Sequence, residues 1–441
     1  MPELDEALLS RWIEPLARAA PADLFFEWRS EWHLRLEDGE VTSTQATLDS
    51  GVAARARREG RSVLAAAPGA DESGAREAVR RLASRLPSAY VPRTAEADDR
   101  DSPGLSDPSR WYRRLVGVIT RGAAGRPHGI DIRRRTFARA ILTPGAPLAR
   151  YERTLLSITG EIDLPARGRR AERQSIVLHV PEADREDYSE IYERLRNAPA
   201  RAREVPPPAA TLPVLLDSGS AAFFFHEVLS HPLEADSPAS KLFGLARARV
   251  APRAIEVTDE PSRLDLFGGY PFDDEGTVAR RTPLLSAGHL AGSLRDRTHA
   301  DTLHPSTGNG RRAGYSDFAA PRGANIVVAG GSASEEEMMH RTGNGIRIER
   351  FDGGSVDPAS GLFRLRFPEA HTLSRGRPAQ ALGPGFLEGE ILECLSALDE
   401  SVGNRVFPCR ELGWCSRDGK VLPAGGEAPA VLLKHARIGP L

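Results

Sequence analysis

Three consecutive prolines, Pro206 to Pro208, constrain this chain more than any other stretch. In the run "EVPPPAATLP", residues 204 to 213, each proline removes a backbone donor and fixes φ, which excludes helix and favours an extended polyproline II segment. A chain of 441 residues is long enough for two or three domains. The proline run is its best interdomain linker, and it separates residues 1–205 from residues 206–441.

The amino-terminal side alternates helix and strand signals. Residues 3–19 have apolar positions at helical spacing, "DLFFEWRSEWHLRLEDGEV" alternates around a turn at "EDGE", and "GVAARARREGRSVLAAA" repeats the pattern with Gly60 at the turn. "DESGAREAVRRLASRL" reads as an amphipathic helix with an acidic start and a basic end, as the macrodipole favours. Residues 92–126 read as an irregular connection around one short helix, "SRWYRRLVGVI". Residues 130–182 alternate again, through "GIDIRRRTFARAILT" and "QSIVLHV", and a charged helix runs from about Glu182 to Ala200. This predicts an α+β layer, with no internal repeat of about 20–50 residues.

Past the linker come a strand, "PVLLD", one apolar helix, and a long stretch rich in turn residues with short alternating runs such as "GANIVVAG", "GIRIERF" and "GLFRLRF". Together these predict an α+β chain whose carboxy-terminal domain is mostly antiparallel β, barrel-like, and built around that helix.

A net charge of −2 leaves no global field to hold nucleic acid or an anionic membrane. No window approaches 18 consecutive apolar residues, which argues against a membrane span. The opening "MPELDEALLSRWIEPLARAA" lacks the basic and apolar regions of a signal peptide. Cys394, Cys409 and Cys415 are too few and too odd in number for a disulfide framework, which fits a reducing compartment, the cytoplasm.

The chemistry concentrates in "FFFHEVLSHPLEAD", residues 223 to 236. His226 and His231 stand five apart, where the familiar zinc helix has its histidines four apart. Positions five apart differ by about 140° on a regular helix, so the pair cannot share a metal without distortion. A single π turn absorbs one residue and restores a common face, while Pro232 biases His231 out of the α region, so the helix should end or unwind there. The buried "AAFFF" lead-in makes two imidazoles and a carboxylate costly to bury without a partner, and a metal would satisfy them. Catalytic zinc takes three protein ligands. By chemistry alone the third is open among Glu234, Asp236, His299, His304 and the three cysteines.

An ordered series of motifs resembles the TldD/PmbA metallopeptidases, most closely the TldD-type, metal-carrying subunit: "FHEVLSHPLEAD", "PFDDEGTVARRT", "STGNGRR", "PRGANIVVAGG" and "GWCSRDGKVLPAGGEAP". The match is strong from about residue 210 onward and weak before it. The resemblance implies one zinc per catalytic subunit, held by His226, His231 and Cys415, with Glu227 as general base. Ser230, Ser416, Arg417 and Lys420 stand where the family has glycine, glycine, lysine and glutamine. It further implies a dimer, with a metal-free PmbA/TldE-like homologue or with itself, that hydrolyses short or unfolded polypeptides, with neither nucleic acid nor membrane as partner.

"STGNGRR" is read as a turn placing Asn309, Arg311 and Arg312 near substrate, and the carboxylates of "PFDDEG" as a solvated turn. Two rivals differ in kind: a non-catalytic partner subunit of such a complex, and a zinc hydrolase of a non-peptide amide. The intact HExxxH set argues against the first.

Overall fold

The computed structural model describes residues 3–58, 61–86, 109–122, 126–164, 172–181, 188–196, 204–238 and 249–441. Period-two alternation in the first half becomes six strands: β1 (Ala22–Glu37), β2 (Glu40–Arg58), β3 (Arg61–Pro68), β4 (Arg126–Leu142), β5 (Ala149–Leu164) and β6 (Glu172–Pro181). They form one antiparallel sheet in the order β3-β2-β1-β4-β5-β6. Four helices pack on one of its faces: α1 (Glu6–Ala19), α2 (Glu72–Arg85), α3 (Ser109–Gly122) and α4 (Ser189–Arg196). Asp5 and Asp71 start α1 and α2 by accepting the N–H groups of Leu8 and Gly74. The expected turn at Gly60, the connection over residues 92–108, and positions 182–187 and 197–200 of the expected charged helix lie outside the described residues.

The layer repeats itself on a scale longer than sequence periodicity exposes. Helix, three strands and helix occur twice, with α1 and α3 starting 103 residues apart (109 − 6), and β1 pairs with β4 at the junction. On β1, Leu24 and Phe26 enter the core beneath α1 and α2, and Leu34 and Leu36 the core beneath α3 and α4. Asp23, Phe25 and Glu27 alternate with them and so face the other way, toward the second half of the chain.

The linker is shorter than its composition suggests. Strand β7 (Ala210–Leu216) begins inside "EVPPPAATLP" and lies in the interior of a nine-stranded sheet, antiparallel to Val431–Pro440 and parallel to Ile346–Ile348. Pro213 is tolerated there because the register with Val431–Pro440 shifts between Leu433 and Ala436, opposite the proline, and the parallel pairing begins only at Val214. The nine-stranded sheet curls as an open half-barrel, and a six-stranded sheet accompanies it. The helix that starts at Ser220 is buried in the core the two sheets share. Phe223 packs on Phe351 (5.6 Å) and Phe224 on Phe363 (5.8 Å). Each such phenylalanine contributes roughly 2–3 kcal/mol of apolar burial, which offsets part of the cost of the polar residues beyond them on the helix.

"PFDDEG" is not a solvated turn. Asp273, Asp274 and Glu275 are all buried, because arginines from the helix-free face of the first sheet meet two of them. Arg139 bridges Glu27 (2.7 Å) and Asp274 (2.8 Å), and Arg55 bridges Asp23 (2.5 Å) and Glu275. Asp273 instead accepts the backbone N–H groups of Glu275, Thr277 and Gly310.

Candidate metal centre

The helix bearing the histidines carries the irregularity their spacing requires. Ser220–Phe225 is α-helical, His226–Ser230 is a π turn closed by the His231 N–H donating to the His226 carbonyl, and His231–Leu233 resumes the α form. The two rings end 4.7 Å apart, centroid to centroid. Pro232 does not end the helix at His231, which stays α-helical at φ −58, ψ −46. The proline lies one residue from the end of the helix, so its missing N–H removes a single bond of the ladder, and the chain becomes extended only at Glu234.

Cys415 comes from a separate element. It lies on Trp414–Arg417, paired with Lys420–Pro423 as a two-stranded hairpin whose turn uses Asp418 (φ 52) and Gly419 (φ 73). Its Sγ is 3.2 Å from His231 Nε2, and the ligand atoms of His226, His231 and Cys415 all lie within 4.8 Å of one another. Among the described residues, these three form the one His, Cys, Asp or Glu group close enough to share a metal.

The donor set fits a zinc ion. Tetrahedral zinc with nitrogen and sulfur ligands places donor atoms about 3.4–3.6 Å apart, and the pair on His231 and Cys415 is already near that. Both ring nitrogens of His226 are buried with no hydrogen-bond partner among the described residues, an arrangement that costs free energy unless something binds there. Burial pushes His226 down to about 3, with the neighbouring His231 adding to it, so the ring is a neutral donor. Burial also opposes charge on His231, but the charges of Cys415 and Glu234 outweigh it and raise that ring well above its usual value. Glu227 lies between buried and exposed on the cleft wall, and burial raises its carboxyl above the usual range.

Of the residues open as third ligand by chemistry, Glu234 supports the site from behind. It is buried, with Oε1 3.5 Å from His231 Nδ1 and 3.0 Å from the Gly323 N–H that donates to it. Against the cost of its burial, His231, Arg322 and Arg417 hold its carboxyl down at about 2. Asp236 pairs with Arg322 and Arg417. His299 and His304 bond the aspartates three residues before them, and Cys394 is a core thiol that burial pushes up to about 12.

The structure does not bring Asn309, Arg311 or Arg312 into the cleft. Asn309 is fully buried and donates to Asp259 (2.9 Å) and the Arg322 carbonyl (3.1 Å). Arg311 donates to the carbonyls of Gly323 (2.6 Å) and Pro423 (2.7 Å), and Arg312 lies over the Phe25 ring at 4.8 Å. "STGNGRR" braces the loops behind the site.

The cleft in front measures about 740 Å³ and is lined by His226, Glu227, His231 and Cys415 together with the strand from Gly353 to Val356. Its far wall belongs to the first sheet, with Thr159, Val177 and His179. Sequence reading passed over His179 and Ser157, whose alternation marks them only as strand residues. Trp414, beside the cysteine in "GWCSRDGK", was the available signal.

Comparison with known proteins places this arrangement. The family model described as PmbA/TldA metallopeptidase C-terminal domain matches residues 209–440, and that for PmbA/TldA metallopeptidase domain 1 matches residues 22–86. A metalloprotease TldD homologue of Buchnera aphidicola is 30% identical over 236 residues, 53% of this chain and 49% of that protein. A metalloprotease of Methanothermobacter thermautotrophicus is 29% identical over 260 residues, 58% of this chain and 56% of its own length. The chain spans about half the length of the curated relatives it matches. TldE from Thermococcus kodakarensis shares the fold with a TM-score of 0.70 at 16% identity, covering 97% of this chain and 100% of that one. A Thermotoga maritima protein described as a candidate modulator of DNA gyrase does so at 0.74 and 18%, covering 98% and 100%. With the carboxy-terminal match alone taking in more than half of the residues, this chain belongs to the PmbA/TldD metallopeptidase family.

Proposed function

We propose that this chain is a zinc peptidase in which His226, His231 and Cys415 hold the metal and Glu227 moves the proton. The observation that carries the reading is the convergence of two imidazoles and a thiol on one buried point, with both nitrogens of His226 otherwise unpartnered among the described residues. A bound zinc would act as a Lewis acid on the scissile carbonyl and acidify water to near neutrality. Glu227, its carboxyl raised by burial, then suits a base that accepts the proton of the attacking water and returns it to the leaving amine.

The substrate class we infer is short or unfolded polypeptide, because the cleft is open along the strand from Gly353 to Val356. We infer a dimer, with a metal-free homologue or with a second copy, from the relatives' names and the TldE-like fold. Among the described residues no helix is long and apolar enough to cross a membrane. The three cysteines fit the cytoplasm. The proline run supports an amino-terminal α+β domain, 1–205, and a metallopeptidase domain, 206–441.

Elemental analysis of the purified chain beside His231→Ala and Cys415→Ser tests the metal set. Near-stoichiometric zinc lost from both variants is expected, and zinc retained by Cys415→Ser would move the third ligand elsewhere. Glu227→Gln should keep the metal and lose about 10²–10⁴-fold in peptide hydrolysis, assayed with fluorogenic peptides and the partner subunit present.

A further inference from the structure

We propose that the amino-terminal sheet fixes the position of Cys415 through a hydrogen-bonded chain, Trp414 to Ser157 to His179, making these three positioning residues of the metal centre. The inference rests on the proposed metal site. Among the described residues, the hairpin that carries Cys415 joins no larger sheet, so its own pairing does not set where Sγ lies relative to His226 and His231.

Trp414 directs its side chain to the opposite side of that strand from Cys415. Its indole meets Phe267 edge-on at 5.3 Å, lies under the Arg135 guanidinium at 4.3 Å, and donates Nε1–H to Ser157 Oγ at 2.8 Å. An indole N–H only donates. Ser157 Oγ therefore accepts there, and it shares a second hydrogen bond with His179 Nδ1, 2.9 Å away. Burial keeps that imidazole neutral, at about 4.

His179 also grips the main chain leading into the hairpin. Its backbone N–H donates to the Arg410 carbonyl at 2.8 Å, and its ring fills the space a side chain at Gly413 would need, since a Cβ there would lie 2.2 Å from the ring. The segment is thus held at 410, 413 and 414, just ahead of the cysteine. Adjoining Cα atoms are tied about 3.8 Å apart, so a shift at Trp414 is passed to Cys415, and metal–ligand distances tolerate only about ±0.2 Å.

The test uses the whole chain with cobalt(II) as the probe, because thiolate-to-cobalt charge transfer reports on Cys415 itself. Trp414→Phe keeps a ring and removes the donor, while Ser157→Ala removes the hydroxyl. Each should lower cobalt affinity about 5- to 10-fold and weaken the thiolate band, and the double variant should be no worse than the weaker single. Trp111→Phe is the control, since among the described residues the buried Trp111 Nε1 has no partner, and it should bind as the unmodified chain does. Melting of the metal-free chains should leave this ranking unexplained by stability. Unchanged affinity and band in both single variants would overturn the proposal, as would additive losses in the double or an equal loss in Trp111→Phe. An unmodified chain that binds cobalt without a thiolate band would instead overturn the assignment of Cys415 on which the proposal rests.

Discussion

Replacing His179 by asparagine should flatten part of the acid sensitivity of this protein. The ring is 8% exposed, and burial lowers it from 6.5 to about 4. The unfolded chain titrates this histidine near 6.5, so between pH 6.5 and 4 the unfolded state binds the additional proton. Stability is then lost as pH falls through that window. At about 1.36 kcal/mol per pH unit the whole window is worth about 3.4 kcal/mol, of which about 2 kcal/mol is gone by pH 5. Asparagine keeps a hydrogen-bonding group near the position of Nδ1 for Ser157 Oγ but does not titrate. Urea unfolding at pH 7 and pH 5 should therefore show the unmodified chain losing about 2 kcal/mol more than His179→Asn between the two conditions. Other groups, His226 among them, titrate in both chains and cancel in the difference. Parallel losses would refute the neutral, buried His179.

Glu234→Gln removes the charge behind His231 while keeping its shape, and should weaken metal binding about 10- to 100-fold in a chelator competition; unchanged affinity would take Glu234 out of the site. Arg139→Met leaves Glu27 and Asp274 buried without their shared cation, and should cost about 3–5 kcal/mol in denaturant unfolding. Adding Glu27→Gln and Asp274→Asn should recover most of that loss, and failure to recover it would mean the arginine acts through packing alone. At Gly323 a Cβ would lie 1.9 Å from Ser230 Oγ, so Gly323→Ala should disturb the π turn and lower metal retention at a cost of roughly 1–3 kcal/mol. Ser230→Gly in the same chain should restore retention, and a double variant as impaired as the single would refute the clash.

Features set by local periodicity are legible in the sequence, whereas those set by long-range pairing are not. The five-residue spacing of His226 and His231 makes a π turn legible once the two rings are taken to share a metal, because positions five apart on a regular helix face about 140° apart. Alternation likewise announces the six long strands. The doubled α-β-β-β-α layer is not legible, since repetition of backbone layout leaves no repeated residues to find. Pro213 reads as linker because the register shift that accommodates it lies on the partner strand, more than 200 residues later. The carboxylates of "PFDDEG" read as exposed because charged residues usually are. The burial of Asp274 and Glu275 depends on Arg139 and Arg55, which no local pattern ties to them.

Clamping the two halves and positioning the site fall to the same sheet face, so they are not independent. Asp23, Glu27, Arg55 and Arg139 meet the carboxy-terminal half on the face that alternation denies to the helices, and Ser157 and His179, paired across β5 and β6, meet it too. Side chains alternate with a period of two, so a one-residue slip of β5 would present Leu156 or Ile158 in place of Ser157. Both are now buried in the core beneath α3 and α4. Such a slip would strand apolar residues on the polar face and break the contact to Trp414 at once. Register in the amino-terminal sheet is therefore enforced by its helix-side core, and under the positioning proposal that core holds Cys415 in place although no residue of it approaches the metal centre. Shortening Leu156 or Ile158, which flank Ser157 on β5, should accordingly lower metal affinity before it unfolds the chain, whereas shortening core residues beneath α1 should not.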